Sequence, residues 1–281
     1  MNLTILGSTG FLGSRLSLKL SQYNPFMPNR KNLIKENGAL YFDKESLEKI
    51  QSSKVIINCI ANTNFIDCEK SGLSDEANIL VPNAISQVVK DQYLIHISSD
   101  IFYEDKKNFS NEESNITVCN MYAAQKKKSE EILMSKNSLI LRTSFVGLNQ
   151  RNTGLLNTIN NAVSTNSEMS GWNNVFSSAV HISHVTDLIS KIITGDKIYG
   201  IYNFGTDRPY TKADFIEKVL LSLRSENLLK RTNLVGENIN RNLNGGMSSD
   251  RIKKDLDILL PSFKDVINLS LEEINHKYGQ K

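Results

Sequence analysis

The feature that most constrains this chain lies at its start. Residues 3–7 read LTILG, an unbroken apolar run, followed by Ser8-Thr9-Gly10-Phe11-Leu12-Gly13 and an amphipathic stretch to about Tyr23. A buried strand, a glycine-rich turn and then a helical period is the opening of a βαβ unit. Each glycine has a physical reason. Gly7 permits the tight turn, Gly10 lets backbone approach a pyrophosphate, and Gly13 lets the helix pack closely on the strand. The helix N-terminus adds N–H groups and a positive dipole end, so Phe11 and Leu12 join the glycines as candidate phosphate contacts. The bland alternative is a strand–turn–helix with incidental glycines; placement between the first strand and the first helix argues against it.

The rest of the chain repeats the alternation. ALYF at 39–42, KVIINCIA at 54–61, YLIHIS at 93–98 and SLILRTS at 138–144 read as strands. Helical patterns run from Lys44, from about Ser74 to Lys90 and from about Asn120 to Met134, and a polar loop covers 104–117. Strands separated by helices imply a parallel sheet with right-handed crossovers, and near-continuous apolar runs imply helices on both faces. After about residue 145 the pattern loosens. Helices are expected near 153–164, 183–194, 211–223, 249–256 and 264–276, with short strands near 174–180 and 200–204. The expected fold class is α/β: a Rossmann-type doubly wound parallel sheet with a smaller, mixed C-terminal substrate-binding lobe. Residues 1–150 would bind NAD(P) and 151–281 would form the lobe, with an interleaved boundary.

Composition removes several function classes. A chain of 281 residues can bury a large core without staples. Its 33 basic and 30 acidic residues are interspersed and sum to +3, which argues against a nucleic-acid partner. No apolar run reaches the ~18 residues of a membrane span, and the N-terminal residues lack the pattern of a secretory signal. Cys59, Cys68 and Cys119 are odd in number with no CxxC pair, so a reducing cytoplasm is expected. The HISH pair, His181 and His184, has no ligand partners nearby in sequence and reads as capping or packing; no metal is expected.

Two further motifs carry chemistry. Tyr122 and Lys126 stand at i, i+4 and share one helix face. A lysine ammonium one turn away favours the phenolate, so it is expected to lower the phenol's pKa and let Tyr122 exchange a proton with a carbonyl or hydroxyl during hydride transfer. Ser99 and Asp100 follow the strand YLIHIS, and the carboxyl ends of parallel strands are where open α/β sheets hold ligands. A hydroxyl there can bond the substrate oxygen; a plain Ser/Asp turn is the alternative. After the first helix, where an NAD site would carry an acid for the ribose, the chain has Arg30 and Lys31. Such cations suit a 2′-phosphate, favouring NADP(H) with NAD(H) still compatible; a simple surface cation is the other reading of Arg30.

With these residues in place, the chain resembles the extended short-chain dehydrogenases/reductases, and within them the dTDP-4-dehydrorhamnose reductases and related sugar-nucleotide reductases. GSTGFLG is similar to the family's cofactor loop, NCIANTNFIDCE at 58–69 to its nicotinamide-side segment, HISSDIF to STDYVF, NMYAAQKKKSEE to NVYGxTKLxGE, and LRTSFVG to LRTSWVYG. The resemblance implies reduction of a 4-keto-6-deoxyhexose on a nucleoside diphosphate, with Tyr122 donating a proton to the C4 oxygen, Lys126 assisting it and holding the nicotinamide ribose, and Ser99 bonding the carbonyl or the tyrosine. It places Phe42 and Asp43 near the adenine and Ala61, Asn62 and Thr63 along the nicotinamide side. Ser99, Asp100 and Phe145 would face the sugar. Trp172 either stacks on a base or sugar or is a partly buried loop aromatic. Asn78 either anchors a family-like hydrogen bond or caps a helix. Ile101 and Phe145 depart from the family's tyrosine and tryptophan, and GWNNVFSSAVHISH stands where GxPT is expected, so a different sugar or nucleotide is compatible. A homodimer is compatible with the family. A cofactor-binding regulatory subunit and a sugar-nucleotide epimerase are the competing functions.

Overall fold

The computed structural model describes residues 1–71, 75–103, 109–135, 137–236 and 242–279. In chain order the elements begin β1 (Leu3–Leu6), α1 (Phe11–Lys19), β2 (Leu33–Glu36), β3 (Ala39–Phe42), α2 (Lys44–Ser52), β4 (Val55–Asn58), α3 (Phe65–Ser71), α4 (Val81–Val88), β5 (Tyr93–Ser98), α5 (Met121–Leu133) and β6 (Ser138–Thr143). They continue with β7 (Phe145–Val146), α6 (Leu155–Thr165), β8 (Met169–Trp172), β9 (Phe176–Ser177), β10 (Val180–His181), α7 (Ile182–Thr194) and β11 (Gly200–Phe204). The last are β12 (Tyr210–Thr211), α8 (Lys212–Ser222), β13 (Leu229–Thr232), β14 (Asn244–Gly245), α9 (Asp250–Leu256) and α10 (Phe263–Gly279).

Two compact units are interleaved along the chain. The first takes residues 1–102, 117–142 and 186–202; the second takes 103–116, 143–185 and 203–281. They therefore do not divide at residue 150.

The first unit is built on the five-stranded sheet ordered β1-β4-β5-β6-β11. The β1/β4, β4/β5 and β5/β6 pairs are parallel, with Leu6 opposite Asn58, Asn58 opposite His96 and Ser98 opposite Arg142. Every residue of β1 and β4 is buried, which is why these strands read as continuous apolar runs. One core layer joins Leu6, Ile56, Leu94 and Ile140 of the sheet to Ile85 and Leu133 of the helices.

The region after α1 differs from the sequence expectation. ALYF does not join the parallel sheet; it pairs antiparallel with LIKE, so that β2 and β3 form a hairpin. Beyond β1, among the described residues, there is only an isolated parallel bridge between Thr4 and Phe26. Pro25 and Pro28 flank Phe26, and a proline has no N–H to extend a ladder, so the strand stops at one bridge. The Phe26 N–H donates to Leu3 O at 2.8 Å, and the Ile5 N–H donates to Phe26 O at 2.9 Å. The expected helix from Ser74 starts outside the described residues, and its first described part is a π turn, Glu76–Leu80, capped by Asp75, before α4. Residues 104–108 of the expected polar loop likewise lie outside the described residues.

The second unit holds small sheets: β7 with β10, β8 with β13, and β12-β9-β14. Its core packs Leu156 and Ile159 against Phe215, Val219, Val266 and Ile274. Among the described residues, no helix is long and apolar enough to cross a membrane.

Candidate active site

The glycine loop has the tight form its sequence predicts. Gly7 has a φ of +84°, in the left-handed region, and a Cβ there would sit 3.0 Å from the Ile60 backbone nitrogen. A Cβ on Gly13 would lie 2.1 Å from Gly7 O, so α1 can approach the loop only because this residue is glycine. Gly10 is the N-cap of α1; no side chain caps this end, and its first turn carries no acid. An anion thus meets backbone and the positive end of a helix without a competing carboxylate, and the cradle fits a pyrophosphate. Gly13→Ala is expected to cost at least about 1–3 kcal/mol of stability by overpacking, read by denaturant unfolding.

The catalytic candidates meet at the carboxyl end of β5. Asn120 caps α5 by accepting the Ala123 N–H at 2.8 Å. This start puts Tyr122, Lys126, Ser129 and Glu130 in the buried part of the helix. The Ser99 side chain favours the ionised form of the Tyr122 phenol, and its hydroxyl lies 3.4 Å from Asp100 Oδ1. The Phe65 ring meets Tyr122 edge-on at 5.2 Å. Lys126 Nζ donates to Ile97 O at 2.9 Å and stands 3.3 Å from His96 Nε2.

The electrostatics correct one expectation. The Tyr122 phenol is raised above its ordinary value, because burial outweighs the effect of Ser99 and Asp100 adds to the rise. Lys126 does not lower it here; its Nζ is turned to Ile97 O and His96. Burial instead brings the Lys126 ammonium down to about 8, against the opposing pull of Glu130. At neutral pH Tyr122 is a protonated phenol, hence an acid ready to give a proton rather than a base.

Beneath α5 lies a buried ion pair. Arg142 Nη2 donates to Glu130 Oε2 at 2.7 Å and Nε to Oε1 at 3.0 Å; the Ser98 hydroxyl donates to Oε1 at 2.5 Å. The Arg142 guanidinium stands 5.1 Å over the Phe102 ring. These contacts tie α5 to β5 and β6 at the level of the site.

A family model for the RmlD substrate binding domain matches residues 1–276. The chain belongs to the RmlD substrate binding domain family. Solved structures agree in fold. A dTDP-4-dehydrorhamnose reductase from Bacillus anthracis in complex with NADP superposes with a TM-score of 0.81 at 18% identity over 100% of both chains. An orthologue from Clostridium acetobutylicum gives 0.83 at 16% identity over 99% of this chain and 100% of that one. The Bordetella bronchiseptica enzyme WbmG, in complex with NAD and UDP, gives 0.78 at 14% identity over 99% and 96%. No curated protein matches.

Other candidates occupy diverse settings in this RmlD family chain. Ala61 and Thr63 are exposed. Between them Asn62 is clamped by Asn78, whose Oδ1 accepts the Asn62 N–H and whose Nδ2 donates to Asn62 O, each at 2.9 Å. Asn78 also donates to Gln125 Oε1 at 2.7 Å, so it holds the segment against α5 rather than capping a helix. Phe42 is buried at the end of β3. Asp43 caps α2 through the Ser46 N–H and accepts from Asn32, which holds its carboxyl below the usual range. Arg30 is exposed and donates to Glu76 Oε1 at 2.7 and 3.2 Å. Phe145 and Trp172 belong to the second unit. Phe145 is half-buried in β7 opposite Val180, and Trp172 is half-buried in β8 with Lys212 Nζ 5.0 Å over its ring. His181 Nδ1 accepts the Ser183 N–H at 3.3 Å, a local cap at the start of α7. Among the described residues, no group of three His, Cys, Asp or Glu side chains is arranged to hold a metal.

Sequence reasoning missed Phe65, Gln125, His96 and Asn58. The signal for the last two was present: a polar residue inside each of two apolar strands, where burial demands a partner.

Proposed function

We propose that this chain reduces the 4-keto group of a nucleoside-diphosphate 4-keto-6-deoxyhexose, with NADPH as the preferred reductant. Family membership carries the coarser statement: the chain is an NAD(P)H-dependent oxidoreductase that reduces a keto group of a nucleotide sugar. The observation supporting the finer reading is that Ser99 directly follows β5 while Tyr122 and Lys126 stand one turn apart on the buried face of α5.

The nicotinamide cofactor, when bound, supplies hydride. The glycine loop, with Gly7, Gly10, Phe11, Leu12 and Gly13, would hold its pyrophosphate, with Ala61, Asn62 and Thr63 along the nicotinamide side. The chain's own residues do the rest. Ser99 aligns the phenol and the substrate carbonyl. Tyr122 Oη, kept protonated by burial, gives its proton to the C4 oxygen as negative charge develops there. The Lys126 ammonium would hold the nicotinamide ribose. Asp100 would face the sugar nucleotide. Among the described residues no cysteine is in a disulfide, which suits a reducing compartment such as the cytoplasm.

The test is oxidation of NADPH and NADH across a panel of 4-keto-6-deoxy sugar nucleotides generated in situ by a dehydratase. Turnover on one of them is expected; cofactor binding with no turnover on any would favour a regulatory subunit. In the same assay Arg30→Ala is expected to raise KM for NADPH about tenfold, the loss of one charge-assisted bond, and to leave KM for NADH unchanged. Equal effects on both cofactors would remove the 2′-phosphate role.

A further inference from the structure

The buried histidine beneath α5 has no part in the mechanism above, yet its surroundings fix its protonation. The Ile60 N–H donates to Asn58 Oδ1 at 3.1 Å, which sets the orientation of that amide. Asn58 Nδ2 therefore points its hydrogen at His96 Nδ1, 3.0 Å away. An Nδ1 that accepts leaves the proton of a neutral imidazole on Nε2. The Nε2–H then meets the Ser129 hydroxyl at 3.1 Å, and that hydroxyl spends its own hydrogen on Lys126 O at 2.8 Å. Asn58, His96, Ser129 and Lys126 are all at most 2% exposed. A second proton on Nδ1 would face the Asn58 N–H, donor against donor.

The same Nε2–H lies 3.3 Å from Lys126 Nζ. A charged ammonium has only donors to offer it. A neutral amine can accept from Nε2–H while still donating to Ile97 O at 2.9 Å. We propose that His96 is a positioning residue for Lys126: locked by Asn58 as the neutral Nε2–H tautomer, it disfavours the lysine's charged form and so sets the upper pH limit of the reduction.

Another group acting on Lys126 pulls the opposite way. Glu130, engaged with Arg142, favours the ammonium, whereas Cys59, whose thiol burial pushes up to about 12, is uncharged where the lysine titrates. Burial and the neighbouring Lys126 hold the His96 imidazole neutral. The inference rests on the assignment of Lys126 to the reaction, and its test is built to fail separately from that assignment.

The full chain without cofactor, labelled with nitrogen-15 at histidine and carbon-13 at lysine, is titrated by NMR, with His96→Gln identifying the ring signals. His96 is expected to show a protonated Nε2 and a bare Nδ1 throughout the range from about pH 5 to 8 where an ordinary histidine titrates. A protonated Nδ1, or uptake of a second proton in that range, overturns the proposal. Lys126 is expected to titrate near about 8. Asn58→Leu releases the lock and lets the imidazole turn a lone pair toward Nζ; the lysine midpoint should rise by about one unit, a tenfold gain in proton affinity. The alkaline fall in kcat should move up with it. A kcat lowered equally at every pH with an unmoved lysine midpoint would mark a merely structural role and overturn the proposal. If Asn58→Leu does not fold, the wild-type tautomer decides. The expected NMR behaviour with no turnover on any sugar nucleotide upholds this coupling and sinks the reductase reading alone.

Discussion

Tyr122→Phe will lower kcat by about 10²–10⁴-fold, the range expected when a positioned general acid is removed. The phenol ring is buried and packed edge-on against Phe65, so phenylalanine fills the same space and the fold should hold. Only the hydroxyl is lost. KM for the sugar nucleotide should change little, because the missing interaction strengthens in the transition state and not in the ground state. Steady-state rates with the active sugar, alongside the thermal melting curve, check this. A variant that retains more than a tenth of the wild-type kcat would remove Tyr122 as the acid.

Glu130→Ala will destabilise the protein by about 3–5 kcal/mol, the cost of leaving a buried partner charge alone. Arg142 is 1% exposed, and two of its three guanidinium nitrogens bond the Glu130 carboxylate. Without it the guanidinium loses both of those charge-assisted bonds. Urea unfolding measures the loss. The double variant Glu130→Leu/Arg142→Met should recover most of it, since well-packed apolar side chains of similar size often substitute for a buried pair without penalty. Because Glu130 is one turn beyond Lys126 on α5, the single variant should also lower activity; near-wild-type stability would contradict the account of how α5 is held.

The legible parts of the molecule were those written in local pattern. The strands LTIL, VIIN, YLIHIS and SLILRT were readable as near-continuous apolar runs, and the glycine loop as a turn between strand and helix. The spacing of Tyr122 and Lys126 was enough to put both on one buried face of α5. Two kinds of information escaped. One was turn chemistry: Asn37 and Gly38, with φ of 48° and 80°, mark the hairpin that takes β3 out of the parallel sheet. The other was long-range pairing. β8 and β13 lie some sixty residues apart, with Gly171 opposite Arg231, and nothing local in MSGW announces a strand. The phenol was misjudged for a related reason. The lysine one turn away is visible in sequence, whereas the burial that outweighs it, and the carbonyl and imidazole that turn the ammonium aside, exist only once β5 and α5 are packed.

The abbreviated strand at Phe26 has a consequence for how molecules behave in a crowd. The outer margin of a sheet is a template on which another chain can grow, and natural proteins blunt it. Here the Leu3 carbonyl and the Ile5 N–H, which would recruit such a strand, are already spent on a single residue. Pro25 and Pro28, either side of it, offer no hydrogen to the next comer. The β1 margin is thereby closed to self-templated growth, so a high concentration of this protein should not polymerise through it.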